Sequence, residues 1–174
     1  ANHNLSLRES VPGAKTLEDK PVLEGLGKGV DTGEIAFIAR TNGKLVDEAI
    51  QILLQYPDAT FFFEGGAKSY PFTSNKSIIF DLLELKESNK KGIKRPFIRQ
   101  FKNYEALITY AESTEDAELN VATQIIEKYG EQLRTYIPQI VSRACDSKEM
   151  ADVILTTTHR AKGMEYGSVT LADD

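Results

Sequence analysis

The chain contains 174 residues, of which 41% are hydrophobic and 27% charged, values typical of one globular domain rather than a collagen-like or disordered chain. A single Cys145 excludes an internal disulfide scaffold, and two histidines, His3 and His159, leave almost no material for a Cys/His zinc site, so no metal site is predicted. The net charge of −5 means that nucleic-acid binding would need a local basic patch or a partner. No long apolar run or secretion signal supports a membrane partner, and the lone cysteine fits a reducing compartment, so an intracellular protein is expected.

The first regular elements follow an irregular lead-in over residues 1–32, where glycine and proline interrupt any period. A glycine-rich run near its end lacks the spacing of a phosphate-binding loop. A buried strand is predicted at 35–39, followed by a helix that Thr41 or Asn42 caps and whose apolar residues recur at i, i+4 and i+8. A second strand at 60–63 completes a β-α-β unit, so these two strands should be parallel.

The middle of the chain is predicted to be helical. One helix begins after residues 73–75, and an amphipathic stretch over 115–144 forms either one long helix or a broken pair. Gly130 and Pro138 are the residues that would bend or divide it.

A basic segment lies between these helices, at residues 88–102, with six cations and no acid. Such a run ordinarily indicates a solvated helix face, and phosphate contact is the alternative interpretation. Helical spacing predicts that the aromatic residues here belong to the core rather than to base-stacking platforms. The cations that could contact DNA are Lys94, Arg95 and Arg99, and the residues with helical spacing are Phe97, Phe101, Tyr104, Ile108 and Ala111.

Two further strands at 151–156 and 168–171 make the fold an α/β parallel sheet interrupted by a helical, partly basic insertion. Open sheets of this class place ligand sites at the carboxyl ends of their strands. Three polar clusters follow predicted strands: Arg40-Thr41-Asn42, the turn at 64–69, and the segment 156–166. The first two could equally be a helix cap and a tight turn. The third combines hydroxyls, an imidazole, two cations and a carboxylate, an unusual composition for a purely structural connection.

Three segments resemble motifs of the UvrD/Rep/PcrA class of superfamily 1 DNA helicases. Thr157-x-His159-x-Ala161-Lys162-Gly163-x-Glu165-aromatic is similar to motif V. Residues 33–42 resemble motif IV, and Phe63-Glu64-Gly65-Gly66 with the helix after it resembles motif IVa. The motifs occur in the family's order, and the Arg-Thr-Asn triplet, the Gly-Gly-x-Lys-Ser turn and the compact helical middle are most similar to the F-box DNA helicase branch.

The resemblance implies a partial RecA-like, P-loop NTPase-like domain 2A built from residues 33–85 and 151–174. Residues 86–150 would form a reduced helical insertion similar to domain 2B. In this family ATP binds between the first and second RecA-like domains. The implied ATP-binding residues are Arg40 at the γ-phosphate, with Gly163 and Glu165 near the ribose and phosphates, and the implied contacts to single-stranded DNA are Thr157, His159 and Lys162.

The chain also departs from the family pattern. Ala39 stands where the family often has a tyrosine that stacks on adenine. No counterpart of motif VI, of the P-loop or of the acidic metal-binding motif occurs in the sequence, so no complete catalytic set is present. The resemblance therefore implies a fragment that is inactive alone as an ATPase. Its missing first RecA-like domain would bind most of ATP and Mg²⁺, and the remainder of the same polypeptide would complete the enzyme.

The implied function is an ATP-dependent 3′-to-5′ DNA helicase or translocase in DNA repair or recombination, nuclear in a eukaryote and cytoplasmic in a bacterium. One alternative is a non-catalytic α/β module that binds nucleic acid or protein through the basic segment. Another is a helicase-derived nuclease or repair subunit of the RecB type, which shares motif V.

Overall fold

The computed structural model describes residues 35–74 and 77–172. The predicted lead-in over residues 1–32 and the last two residues of the chain lie outside this part. The strands are β1 (Ile35–Ala39), β2 (Phe61–Phe63), β3 (Ala144–Cys145), β4 (Val153–Thr157) and β5 (Ser168–Leu171). The helices are α1 (Asn42–Gln55), α2 (Ile78–Lys86), α3 (Pro96–Arg99), α4 (Tyr104–Ser113), α5 (Ala117–Tyr129), α6 (Leu133–Ser142) and α7 (Thr158–Ala161).

The five strands form one parallel sheet in the order β3-β2-β4-β1-β5. The predicted α/β class with a parallel sheet is confirmed, and this architecture is consistent with a RecA-like fold. All five residues of β4 are buried, because β4 lies between β2 and β1 and α1 packs on it. Strands β1 and β2 are parallel as predicted, but β4 separates them.

Helix α1 connects the sheet to the helical layer. Thr41 is its N-cap: the side chain accepts a hydrogen bond from the backbone N–H of Lys44 at 3.2 Å, which decides between the two predicted caps. Gly43 allows α5 to approach closely, since a Cβ atom there would lie 2.9 Å from Cγ1 of Val121. The apolar face of α1 belongs to the same core as β2 and β4.

The predicted long helix is a broken pair. Helix α5 ends at Gly130, whose φ of 53° lies in the left-handed region, and a short 3₁₀ turn leads into α6. Pro138 lies inside α6 and does not end it. Both helices pack on α1 and contribute to the common core. The division of the chain into a sheet domain and an inserted domain stays a prediction.

Three sequence predictions need correction. The helical spacing from Phe97 to Ala111 is not one helix, because α3 ends at Arg99 and α4 starts at Tyr104 with Asn103 as its cap. Strand β3 was not predicted, since two residues directly after a helix give no alternation to recognise. Phe97 is not a core residue: 40% of its surface is exposed. Among residues 35–74 and 77–172, no helix has the length and apolar character needed to cross a membrane.

Candidate functional site at the carboxyl edge of the sheet

The carboxyl ends of the parallel strands bring all three predicted polar clusters to one edge of the sheet. Because β4 lies between β1 and β2, the segment after β4 sits between the other two clusters. The Thr158 hydroxyl donates to the backbone carbonyl of Ala39 at 3.3 Å. On the opposite side, Arg160 donates to the Ser69 hydroxyl at 2.9 Å. The segment 158–167, here called the motif loop, is thus tied to both neighbouring strand ends.

Arg40 is exposed at the end of β1, directly before the cap of the 14-residue helix α1. A guanidinium there lies beside the positive end of the helix dipole, an arrangement that suits an anion. The backbone N–H of Asn42 donates to the Glu118 carboxylate at 3.3 Å, so α5 already occupies one of the donors at this helix end. Arg40 and the hydroxyl of Thr41 belong to the same short turn.

The predicted DNA contacts differ in their exposure. His159 and Lys162 are exposed on α7 and at its C-terminal end, whereas Thr157 is buried at the end of β4. Gly163 and Glu165 are also exposed, and Gly163 has a φ of 78° that favours glycine. Four of these five residues are therefore exposed to solvent. The roles of all five in binding ATP or DNA stay predictions.

Arg160 holds the motif loop against the turn after β2. Its guanidinium lies over the Tyr70 ring, 4.6 Å from the centroid, and donates to the Ser69 carbonyl at 3.0 Å. Gly65, with a φ of 79°, makes this possible, since a Cβ atom there would lie 2.7 Å from Nη1 of Arg160. One of the two glycines of this turn therefore has a structural role, which is to accommodate Arg160.

Glu64 is the buried acid of the site and was not predicted to be functional. Its carboxylate accepts a hydrogen bond from the Tyr166 hydroxyl at 3.2 Å and forms an ion pair with Lys148. Lys148 Nζ also lies 5.0 Å from the centroid of the Tyr166 ring. Burial, reinforced by the Glu64 charge, raises the pKa of Tyr166 well above its usual range. No sequence motif links these three residues; a carboxylate directly after a buried strand was the available signal.

The basic segment has two kinds of cation. Arg95 forms an ion pair with the buried Asp81 at 3.1 Å, and Arg99 donates to the backbone carbonyl of Ile93. Both arginines that were predicted as DNA contacts therefore have internal partners. Exposure does not separate the arginines from the lysines, because Arg99 is exposed and so are Lys90, Lys91, Lys94 and Lys102.

Comparisons with known proteins support a helicase relationship. No protein-family model matches the chain, and no solved structure matches it. F-box DNA helicase 1 from Gallus gallus is 27% identical over 160 residues, which cover 87% of this chain. The matched region is 15% of the length of that relative, so the chain spans a small part of it. This similarity, together with the parallel sheet, indicates that the chain is a helicase-related α/β region.

Proposed function

We propose that this chain is the second RecA-like domain, 2A, of an ATP-dependent DNA helicase similar to the F-box branch of the UvrD/Rep/PcrA class. The observation that carries the proposal is the similarity to a DNA helicase across 87% of the chain. The geometry supports the same proposal, because the exposed Arg40 and the motif loop lie at the ends of neighbouring strands, on one edge of the sheet. The complete protein would translocate 3′-to-5′ on single-stranded DNA during repair or recombination.

The nucleotide would bind partly to this edge and mainly to another domain. Arg40 offers a planar, permanently charged donor for a phosphate, and Glu165 offers an acceptor for ribose hydroxyls. Among residues 35–74 and 77–172 no group of three acids, histidines or cysteines could hold a metal ion. Arg40 and Glu165 would contact one side of the nucleotide, and the first RecA-like domain would supply the P-loop and the Mg²⁺ ligands. Bound ATP would supply the free energy of γ-phosphate hydrolysis.

The DNA would bind through the motif loop. His159 and Lys162 are exposed, so they can donate to phosphate oxygens of a single strand. Thr158 and Arg160 tie the loop to the ends of β1 and β2. A shift of the β1 end toward or away from nucleotide would therefore also move the residues that hold DNA. This is the coupling that a translocase requires.

The decisive experiment uses the full-length polypeptide that contains this chain and measures ATP hydrolysis with single-stranded DNA present. The variant Arg40→Ala should reduce the rate of ATP hydrolysis by about 10³-fold, which is the effect expected when an arginine that stabilises a transferring phosphoryl group is removed. Arg143→Ala is the matched control, because Arg143 precedes β3 at the opposite edge of the sheet. Equal turnover of both variants would contradict the proposal, as would turnover by the 174-residue chain alone that survives Arg40→Ala.

A second experiment separates the DNA side from the nucleotide side. Lys162→Ala should weaken the stimulation of hydrolysis by single-stranded DNA while the basal rate stays close to wild type. Lys162→Arg retains the charge and should restore most of the stimulation. If both variants keep full stimulation, the motif loop does not contact DNA.

The alternative, a non-catalytic binding module, is favoured by the exposed lysines of the basic segment. It predicts a full-length protein that binds DNA in a salt-dependent way but hydrolyses no ATP. The same pair of assays therefore distinguishes the two functions.

A further inference from the structure

An aromatic surface lies on α3, on α4 and on the turn between them, in elements different from those that form the carboxyl-edge site. It consists of Phe97, Phe101 and Tyr110, whose ring centroids lie 5.3 to 5.6 Å apart. Phe97 is 40% exposed and Tyr110 is 38% exposed. Three contacting aromatic rings at the surface form a concentrated apolar patch, and such patches mark binding sites more often than isolated apolar residues do.

The rings pack edge to face, which leaves ring surface available. The interplanar angles are 88° between Phe97 and Phe101, 66° between Phe97 and Tyr110, and 61° between Phe101 and Tyr110. In this geometry the edge of one ring contacts the face of another, so the faces are not sandwiched together. The exposed fractions of Phe97 and Tyr110 are the part of these rings that a planar group could cover.

The basic segment supplies positive charge on the Phe97 side of this surface, whereas α4 also carries two exposed acids, Glu105 and Glu112. Phe97 and Phe101 belong to the basic segment, which contains no acid, and Lys102 directly follows Phe101. Arg95 pairs with Asp81 and Arg99 donates to the Ile93 carbonyl, but Arg99 remains exposed, as are Lys90, Lys91 and Lys102. The residues three and four positions from Tyr110 on α4 and its C-terminal turn are uncharged: Ala106, Leu107, Ser113 and Thr114.

We infer that this surface binds single-stranded nucleic acid, with unpaired bases stacked on Phe97 and Tyr110 and phosphates bound by the lysines. Aromatic faces beside exposed cations are the combination by which proteins hold single strands without reading their sequence. A duplex hides its base faces, and an acidic peptide would match the charge but offer little for the rings to stack on. The inference goes beyond the proposed function, because it adds a second contact formed by α3 and α4.

The test measures binding of a fluorescent oligo(dT) of about 15 nucleotides to the 174-residue chain by anisotropy. The variant Phe97→Leu/Tyr110→Leu keeps apolar side chains but removes the ring faces, and we expect it to weaken binding about tenfold or more. Leu54→Ala is the matched control, since Leu54 is 51% exposed on α1 and should leave affinity unchanged. Changing Lys90, Lys91 and Lys102 to glutamine should reduce the slope of log affinity against log salt by about 2.

Two further measurements test whether the single strand binds to this surface rather than to the motif loop. Repeating the titrations in a His159→Ala/Lys162→Ala background separates this surface from the motif loop, because the loss caused by the leucine variant should persist there. Ultraviolet crosslinking of the unmodified chain to oligo(dT) should place crosslinked peptides within residues 96–110. Unchanged binding by the leucine variant, crosslinks only elsewhere, or equal competition by a hairpin duplex or polyglutamate would overturn the inference.

Discussion

Two buried carboxylates, Asp81 and Glu64, each hold a cation-rich segment, but they do so differently. Asp81 accepts hydrogen bonds from the backbone N–H groups of Lys94 and Arg95, at 2.8 and 3.0 Å, and from the Arg95 guanidinium. Glu64 is held instead by the side chains of Tyr166 and Lys148, which come from two different segments. The basic segment is therefore fixed through its backbone, whereas the end of the motif loop is fixed through side chains.

This difference indicates which region can change shape. Breaking a backbone–carboxylate contact leaves unsatisfied main-chain donors, so the basic segment should move only when the fold opens. Side chains can exchange partners at lower cost, so the motif loop can shift while the sheet stays intact. That property suits a loop proposed to couple nucleotide to DNA, and the rigid anchor suits a surface that presents exposed rings.

The largest expected effect comes from removing the backbone anchor. Asp81→Ala should lower the free energy of unfolding by about 3 kcal/mol, because it leaves two backbone donors and the Arg95 charge without their acceptor. Urea unfolding followed by circular dichroism measures this change. Asp58→Ala is the control, since Asp58 is fully exposed, and a similar loss in both variants would contradict the role given to Asp81.

A smaller effect is expected where a side chain ties the motif loop down. Arg160→Ala should cost about 1 to 2 kcal/mol, from the lost packing on Tyr70 and the lost hydrogen bonds to Ser69. Hydrogen exchange should show faster exchange in residues 158–167 with little change in β1 and β4. Arg160→Lys keeps the charge but not the planar fork and should fall between wild type and alanine. Uniformly faster exchange across the sheet would count against a locally anchored loop.

Neutralising Glu64 should cost less. Glu64→Gln keeps the shape and one hydrogen bond with Tyr166 but removes the ion pair with Lys148, which remains partly solvated, so we expect about 1 kcal/mol. Limited proteolysis should cut the motif loop sooner than in wild type. If Glu64→Gln destabilises the chain as much as Asp81→Ala, the contrast between the two anchors is wrong.

The smallest effect concerns alkaline pH. Burial and the charge of Glu64 raise the pKa of Tyr166 above the unfolded value of about 10, so the unfolded state loses this proton first. The stabilising contribution is thus complete below about pH 10 and is lost as pH rises above it. Tyr166→Phe should therefore lose less stability than wild type when the pH is raised from 10 to 11. The difference in the free energy of unfolding should be below about 1 kcal/mol, since Tyr166 is partly exposed. An unchanged pH profile would show that Tyr166 is not held in this environment.

The elements with strong local signals were predicted correctly from the sequence. Strands β1 and β5 and helix α1 match their predicted positions, because an apolar run, a capping hydroxyl and a repeat of apolar residues each act within a few residues. The same reasoning failed for Phe97 to Ala111. There the helical period continues across a turn that the period itself does not reveal, and Asn103 caps a new helix.

The candidate site was predicted in its parts but not in its connections. The three polar clusters at strand ends were found because polar residues after buried strands are visible in the sequence. The roles of Arg95, Lys148 and Arg160 were not, because each depends on a partner far away in the chain. A cation that binds a ligand and one that binds a buried carboxylate have the same side chain, so only the fold distinguishes them.

The sequence by itself determined the α/β class, the polar strand ends and the motif order that resembles a DNA helicase, since these follow from residue type and short-range spacing. The tertiary structure alone decided the strand order, the two carboxylate anchors and the exposure of Phe97 and Tyr110. These features arise from packing between segments distant in the chain. Burial and pairing of that kind depend on the whole fold rather than on any local pattern.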